Sequence, residues 1–224
     1  MKYFRFILLI LFPVLIASQG IDNHSSNNVA KRFYAKVNIL MGVGFDKVHS
    51  SYKLVEGEGS EKIYIYPGGG IGAEVVLGYD ISPNIATEIG IGTQSSGESL
   101  NNGHVYFRKV PFRISGIYRL KANKLYTMFF GGGASFDLSP KWDVEIDEND
   151  AKVTYSSNAG FHGLFGLDFF SPKSPLYFVG EIRYVGMPDY EKNQAPRNFI
   201  SPSDISTLSA SGVHFVFTVG YYLK

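Results

Sequence analysis

The chain has 224 residues, a formal net charge of +1, 18% charged residues and no cysteine. That length holds one large domain or two small ones, and a near-neutral chain without a basic stripe is no nucleic-acid partner. The missing cysteine excludes disulfides, thiolate metal sites, cysteine nucleophiles and a lipid-modified N-terminal cysteine.

Glycine (25 residues), tyrosine (15) and phenylalanine (18) are abundant, while charge is scarce for a water-soluble domain. Mean hydropathy near zero does not contradict this, because strands that alternate apolar and polar residues average out. At the N-terminus, Lys2 and Arg5 precede an apolar run from Phe6 to Phe12, broken by Pro13 and resumed from Val14 to Ala17. A positive end, a short apolar core and then small polar residues predict a secretory signal peptide over residues 1–19. Cleavage is expected after Ala17, Ser18 or Gln19, and the run is shorter than the roughly 20 residues a spanning helix needs. Residues 20–31 read as a polar, flexible lead-in, and residues 32–224 as one β-barrel domain.

Period-two alternation starts after Arg32. Phe33, Ala35, Val37, Ile39, Met41, Val43 and Phe45 share one face, with Tyr34, Lys36, Asn38, Leu40, Gly42 and Gly44 opposite. Asp46 to about Lys62 is a polar connection, and Pro67 with glycines 68–70 marks a bend. From Gly70 to Thr93 two alternating runs flank an Asp-Ile-Ser-Pro-Asn turn, which makes a hairpin. Its apolar face carries Ile71, Val75, Leu77, Ile85, Ile89 and Ile91; the other face carries glycines, Glu74 and Glu88. A polar loop, Gln94–Gly103, leads to a fourth strand, His104–Arg119, with Val110, Phe112, Ile114 and Tyr118 opposite Arg113, Ser115 and Arg119. Its first half, Val105–Lys109, shows the other parity, so a bulge is expected near Lys109–Pro111.

The fifth strand, Leu125 to about Phe136, is bulky on both faces, and its register does not follow from alternation. Asp137–Lys152 reads as a third polar connection. The sixth strand, Val153–Phe170, places Tyr155, Ala159, Phe161, Phe165, Leu167 and Phe169 against Asn158, Gly160, His162, Leu164 and Asp168. The seventh, Leu176–Met187, sets Phe178, Ile182 and Tyr184 against Glu181 and Arg183. Pro188 to about Thr207 holds three prolines that argue against regular structure, and the last strand runs from Leu208 to Leu223.

About eight strands result, and their connections alternate long and short. That pattern predicts an all-β, eight-stranded antiparallel up-and-down transmembrane barrel with one end of long loops and one of tight turns. An eight-stranded interior is only wide enough for side chains, so the Phe, Tyr, Ile and Leu stripes would overfill it. Lys36, Glu74, Glu88, Arg113, Glu181 and Arg183 all lie opposite the apolar stripe of their strands. An arginine at the bilayer midplane costs about 2–4 kcal/mol, so these six are expected in the lumen as a structural ion-pair network.

GYDISPNIATEIGIG resembles the second hairpin of OmpA/OmpW-type outer-membrane barrels, and the closing VHFVFTVGYYL is similar to their aromatic last strand. The resemblance covers the chain from about Arg32 onward. It implies an outer-membrane protein with the lipid bilayer as its partner and an external ligand or surface partner reached through long loops. Leu223 and Lys224 follow Tyr222 where such barrels often end on an aromatic residue, and no cell-wall tether of the full-length OmpA kind is expected.

Other constellations carry weaker chemistry. Asp143, Glu145, Asp147, Glu148 and Asp150 could hold Ca²⁺ but lack the EF-hand glycine and final glutamate, so a solvated strand tip is expected. Glycines 68–70 and 131–133 lack the lysine and helix of a phosphate loop. His162 and His214, with Asp168 on the same face, could form a metal pair or proton relay, though hydrogen-bonded lumen filling is the expectation. His49 beside Ser50 and Ser51 lacks an orienting third residue for nucleophilic catalysis. Trp142 and the tyrosines near strand ends fit an interfacial girdle. No catalytic residue, metal or cofactor is expected. The leading reading is a non-enzymatic envelope barrel displaying four surface loops; the alternatives are a narrow OmpW-like solute channel and a lipid-modifying enzyme.

Overall fold

Alternation over runs of ten residues and more leaves the chain only one regular option, and every described element is a strand. The structure, a computed structural model, describes residues 33–45, 48–53, 60–100, 103–121, 126–146, 149–170, 175–194 and 207–223. The expected signal peptide and lead-in lie outside the described residues. In chain order the strands are β1 (Phe33–Gly44), β2 (Val48–Lys53), β3 (Ser60–Ile65), β4 (Gly70–Asp80), β5 (Ile85–Leu100), β6 (Gly103–Lys121) and β7 (Tyr126–Ile146). There follow β8 (Asn149–Tyr155), β9 (Asn158–Phe170), β10 (Leu176–Gly186), β11 (Tyr190–Gln194), β12 (Thr207–Leu208) and β13 (Gly212–Tyr222).

Eight of them close a ring, β1-β4-β5-β6-β7-β9-β10-β13, in which every pairing is antiparallel. Closure is made by β1 on β13, from Tyr34 opposite Tyr222 to Gly44 opposite Gly212. The expected eight-stranded up-and-down barrel is therefore the fold. Its outward face is apolar throughout the ring: Ile39 and Ile89 are each 52% exposed, whereas Glu74 is 2% exposed. Water-soluble proteins do not expose a continuous apolar belt of this size, so the belt is lipid-facing wall.

The expected long connections contain more strand than the sequence suggested. Within the first of them, β2 and β3 pair antiparallel as a separate two-stranded sheet, from Val48 opposite Ile65 to Lys53 opposite Ser60. The loop read at Gln94–Gly103 is instead a continuation of β5 and β6, which stay paired as far as Leu100 opposite Gly103. The connection read at Asp137–Lys152 is largely the upper half of β7 paired with β8. Even the segment after Pro188, read as irregular, contributes β11, which pairs with β8 and β12. Backbone hydrogen bonding to an existing edge outweighed weak local propensity here.

The bulge lies at the expected height but on the neighbouring strand. Arg108 of β6 faces Lys141 and Val110 faces Leu138, so the extra residue is on β7 around Ser139, whose φ of 48° is left-handed. Parity along β6 does not change: Val105, Phe107, Lys109, Pro111, Arg113 and Ser115 all point inward. The apparent switch at Val105–Lys109 arose because what fills the interior changes, from polar below to apolar above. The register of β7 is now fixed, with Phe129, Ser135 and Asp137 inward and Phe130 and Leu138 outward below the bulge.

Candidate functional site: a filled lumen

Inward positions along the eight strands bring the polar side chains into three levels. At the tight-turn end, Tyr34 lies flat against Gly78, where a Cβ would sit 2.1 Å from its ring, and Tyr177 does the same at Gly220, at 2.2 Å. These glycines are needed for close approach; any side chain there would displace an aromatic ring. Tyr34, Ala86, Ile117, Phe129, Leu164, Tyr177 and Val179 form one buried cluster, with Tyr222 packed against it. Tyr34 Oη donates to Glu88 Oε1 (2.7 Å), and Lys36 pairs with the same carboxylate. Arg119 reaches Asp80 Oδ1 at 2.5 Å and Asp168 Oδ2 at 3.2 Å.

The middle level centres on Glu74. It accepts from Arg113 Nη1 at 2.5 Å, from Arg183 Nη1 at 3.0 Å and from Asn38 Nδ2 at 2.8 Å. Arg183 Nε also donates to Glu181 Oε1 (2.6 Å), and Thr218 donates to Asn38 Oδ1 (2.7 Å). His162 sits between Ser115 Oγ at 2.8 Å and Ser135 Oγ at 2.9 Å. Both ring nitrogens are thus taken by hydroxyls, with no carboxylate to orient the ring for catalysis. The residues expected to form an ion-pair network fall into two neighbouring groups. Lys36 and Glu88 belong to the lower level; Glu74, Arg113, Glu181 and Arg183 make up the middle one.

At the upper level Gln94 Nε2 donates to Gly69 O (2.7 Å), and His214 Nε2 hydrogen-bonds Gly68 O at 2.9 Å. Lys109 Nζ binds Asp137 Oδ2 at 2.7 Å, and the Tyr190 hydroxyl donates to the same carboxylate oxygen. His162, His214 and Asp168 therefore occupy three different environments and do not form a metal pair or a single relay. Glycines 131–133 lie in the barrel wall within β7, opposite Ile117, Gly116 and Ser115.

Above the bulge the interior becomes apolar. Val105, Phe107, Trp142, Val153, Tyr155, Val185, Met187, Tyr190, Leu208 and Ala210 form a second buried cluster that caps the lumen. Burial pushes the Tyr155 phenol up, and burial together with neighbouring Asp137 pushes Tyr190 well above its usual value, so both stay protonated. Two sequence expectations are corrected here. Trp142 is 3% exposed and belongs to this cap, not to an interfacial girdle. Tyr155 also faces the interior, because residues 156–157 separate β8 from β9 and the face read as one strand is two.

Of the other candidates, Asp143 lies within 3.7 Å of Arg108 Nε and 3.6 Å of Lys141 Nζ, and Glu145 within 2.9 Å of His104 Nε2. No group of three or more possible metal ligands occurs among the described residues, and 147–148 lie outside them. His49, Ser50 and Ser51 fall on β2, opposite Tyr64, Ile63 and Lys62.

Several partners in the lumen were not expected from the sequence. Asp80 was read as turn chemistry, yet it shares parity with Glu74 and Glu88 across the hairpin; Arg119, already read on the inward face with Arg113, is the base it meets. Extending the alternation to the strand end would have found Asp80. Asp137 and Tyr190 carried no such signal, since both lay in segments read as loops.

No protein-family sequence model and no curated protein matches this chain. Solved structures do. The outer membrane protein OprG from Pseudomonas aeruginosa aligns with a TM-score of 0.55 at 12% identity, covering 87% of this chain and 96% of that one. A major outer membrane protein from Thermus thermophilus aligns at 0.53 with 11% identity, covering 87% and 100%. Neisserial surface protein A aligns at 0.51 with 14% identity, covering 84% and 96%. At such identities the likeness establishes the fold, which is that of the small outer-membrane barrels.

Proposed function

We propose that this chain is a non-enzymatic outer-membrane barrel whose lumen is closed and whose working surface is the ring of extended hairpins at its long-loop end. The observation that carries this reading is the filling of the interior. Lys36, Lys109, Arg113, Arg119 and Arg183 are all buried beside Glu74, Asp80, Glu88, Asp137, Asp168 and Glu181, and the apolar cap closes the end above them. A conducting path needs polar groups that water can reach, whereas here the cations have carboxylate partners at hydrogen-bond distance. The six residues Lys36, Glu74, Glu88, Arg113, Glu181 and Arg183 serve structure in this reading: they fill the lumen and offset one another's charge.

The working end is built differently. β7 has 21 residues, about twice the 9–11 that a transmembrane strand needs, so its upper half stands clear of the bilayer with β6 and β8 beside it. A rigid, paired extension presents side chains at lower entropic cost than a free loop, which suits contact with an external partner. Single-channel recording in planar bilayers tests the closed lumen. The expected result is no stepwise conductance from the purified protein; steady steps of defined size would instead favour the narrow-channel reading.

A further inference from the structure

Where β7 changes partners, from β9 below Ser139 to β8 above Pro140, the sheet opens outward into a groove of about 600 Å³. The bulge at Ser139 makes it, and Thr93, Arg108, Lys141, Lys152 and Thr154 line it. Arg108, Lys141 and Lys152 therefore present three outward cations to one depression, while Lys109, which also lines it, points inward onto Asp137 at 2.7 Å. Beside the outward cations, Asp143 lies 3.6 Å from Lys141 and 3.7 Å from Arg108. Both contacts are long and partly exposed, so they neutralise little, and the groove keeps a positive balance.

Its height matters as much as its charge. Immediately below lie the outward side chains of Val110, Phe112 and Leu138, the top of the lipid-facing belt; immediately above, Tyr106 and Arg108 stack at 5.4 Å. The groove is thus placed at the headgroup level of the outer leaflet. An acyl chain lying against Phe112 and Leu138 would carry its headgroup directly into reach of Arg108, Lys141 and Lys152.

We propose that this groove is a binding site for a phosphate group carried on an outer-leaflet lipid. Arg108 supplies a planar donor fork that fits two phosphate oxygens, Lys141 and Lys152 supply point charge, and the Thr93 and Thr154 hydroxyls supply neutral donors. The lipid origin of the phosphate follows from continuity with the belt, because a free anion would use the cations and gain nothing from the apolar wall beneath them. The site rests on the barrel lying in a membrane, as proposed above.

The test uses the full barrel in nanodiscs of phosphatidylcholine alone or doped with phosphatidic acid, whose headgroup is a phosphate monoester. Native mass spectrometry after release in mild detergent reads which lipid stays bound. Phosphatidic acid is expected to be retained over phosphatidylcholine, and the double variant K141Q/K152Q to lose retention by about 25-fold, near fivefold per cation. D143N should increase it. Equal retention of the two lipids, or no loss in the double variant, would overturn the site. So would full displacement by excess inorganic phosphate, which would mark a site for the free anion. Heat-modifiable gel migration on the same samples reports barrel insertion separately, so a failed groove and a failed barrel are distinguishable.

Discussion

Below Ser139 the barrel keeps its charges inside, above an aromatic cluster at the tight-turn end, and is apolar outside; above Ser139 the buried cluster is apolar and cations face outward. In the lower region Ile39, Ile89 and Ile182 face outward while Glu74, Arg113 and Arg183 are buried. In the upper region Phe107, Trp142 and Val153 are buried while Arg108, Lys141 and Lys152 face outward. The same strands, β6 and β7, run through both, so the inversion owes nothing to secondary structure. It records a change of solvent. Lipid accepts apolar side chains and forces charge inward, and water does the opposite. The bulge on β7 marks the boundary between the two solvents and flips that strand's parity there, which lets Trp142 join the interior.

Substitutions that exchange the rules of the two regions should sharpen that contrast. The largest effect is expected from Glu74→Ala, which leaves Arg113 and Arg183 buried without their shared carboxylate. Removing one partner of a buried pair costs about 4 kcal/mol, read as a lower urea midpoint for the folded barrel in lipid vesicles. Next is Phe107→Ala, expected to cost about 3 kcal/mol through the cavity left in the upper cluster. Trp142 is the only tryptophan in the chain and lies in that cluster, so its emission should shift red while heat-modifiable migration is kept. A third substitution, Ile39→Arg, puts charge at the lipid-facing centre of β1 and should cost about 2 kcal/mol. Its counterpart above the boundary, Thr154→Arg, should cost almost nothing in the same urea titration. Asp143→Asn should likewise cost little, about 0.5 kcal/mol or less, because its ion pairs are long and partly exposed.

Much of the lower region was legible in the sequence. Alternation over Phe33–Phe45 and Gly70–Thr93 fixed which residues face lipid, and the charge positions then told inside from outside. Glu74 and Arg113 could be placed in the lumen before any coordinates, although which acid meets which base could not, since partners such as Glu74 and Arg183 are 109 residues apart. The upper region was read less well for a specific reason. An apolar residue in an outer-membrane strand was taken as lipid-facing, and above the bulge that rule inverts. Val105 and Phe107 were therefore assigned a parity change that β6 does not have, Tyr155 was assigned to the outer face, and Trp142 to a girdle. The polar composition of 94–103 and 137–152 read as loop, yet polar residues suit strands that stand in water. Asp137, Lys109 and Tyr190 meet only once those strands are in place.

The inversion itself can be measured directly, since the chain has no native cysteine to confuse labelling. Single substitutions Ile114→Cys, Trp142→Cys, Lys141→Cys and Asp143→Cys sample the lipid face, the cap and the water-exposed face. Intact cells are then treated with a membrane-impermeant maleimide. Labelling at positions 141 and 143, with none at 114 or 142, is the predicted pattern. Labelling at 142 with protection at 141 and 143 would contradict it, because the apolar face would then continue unchanged past Ser139.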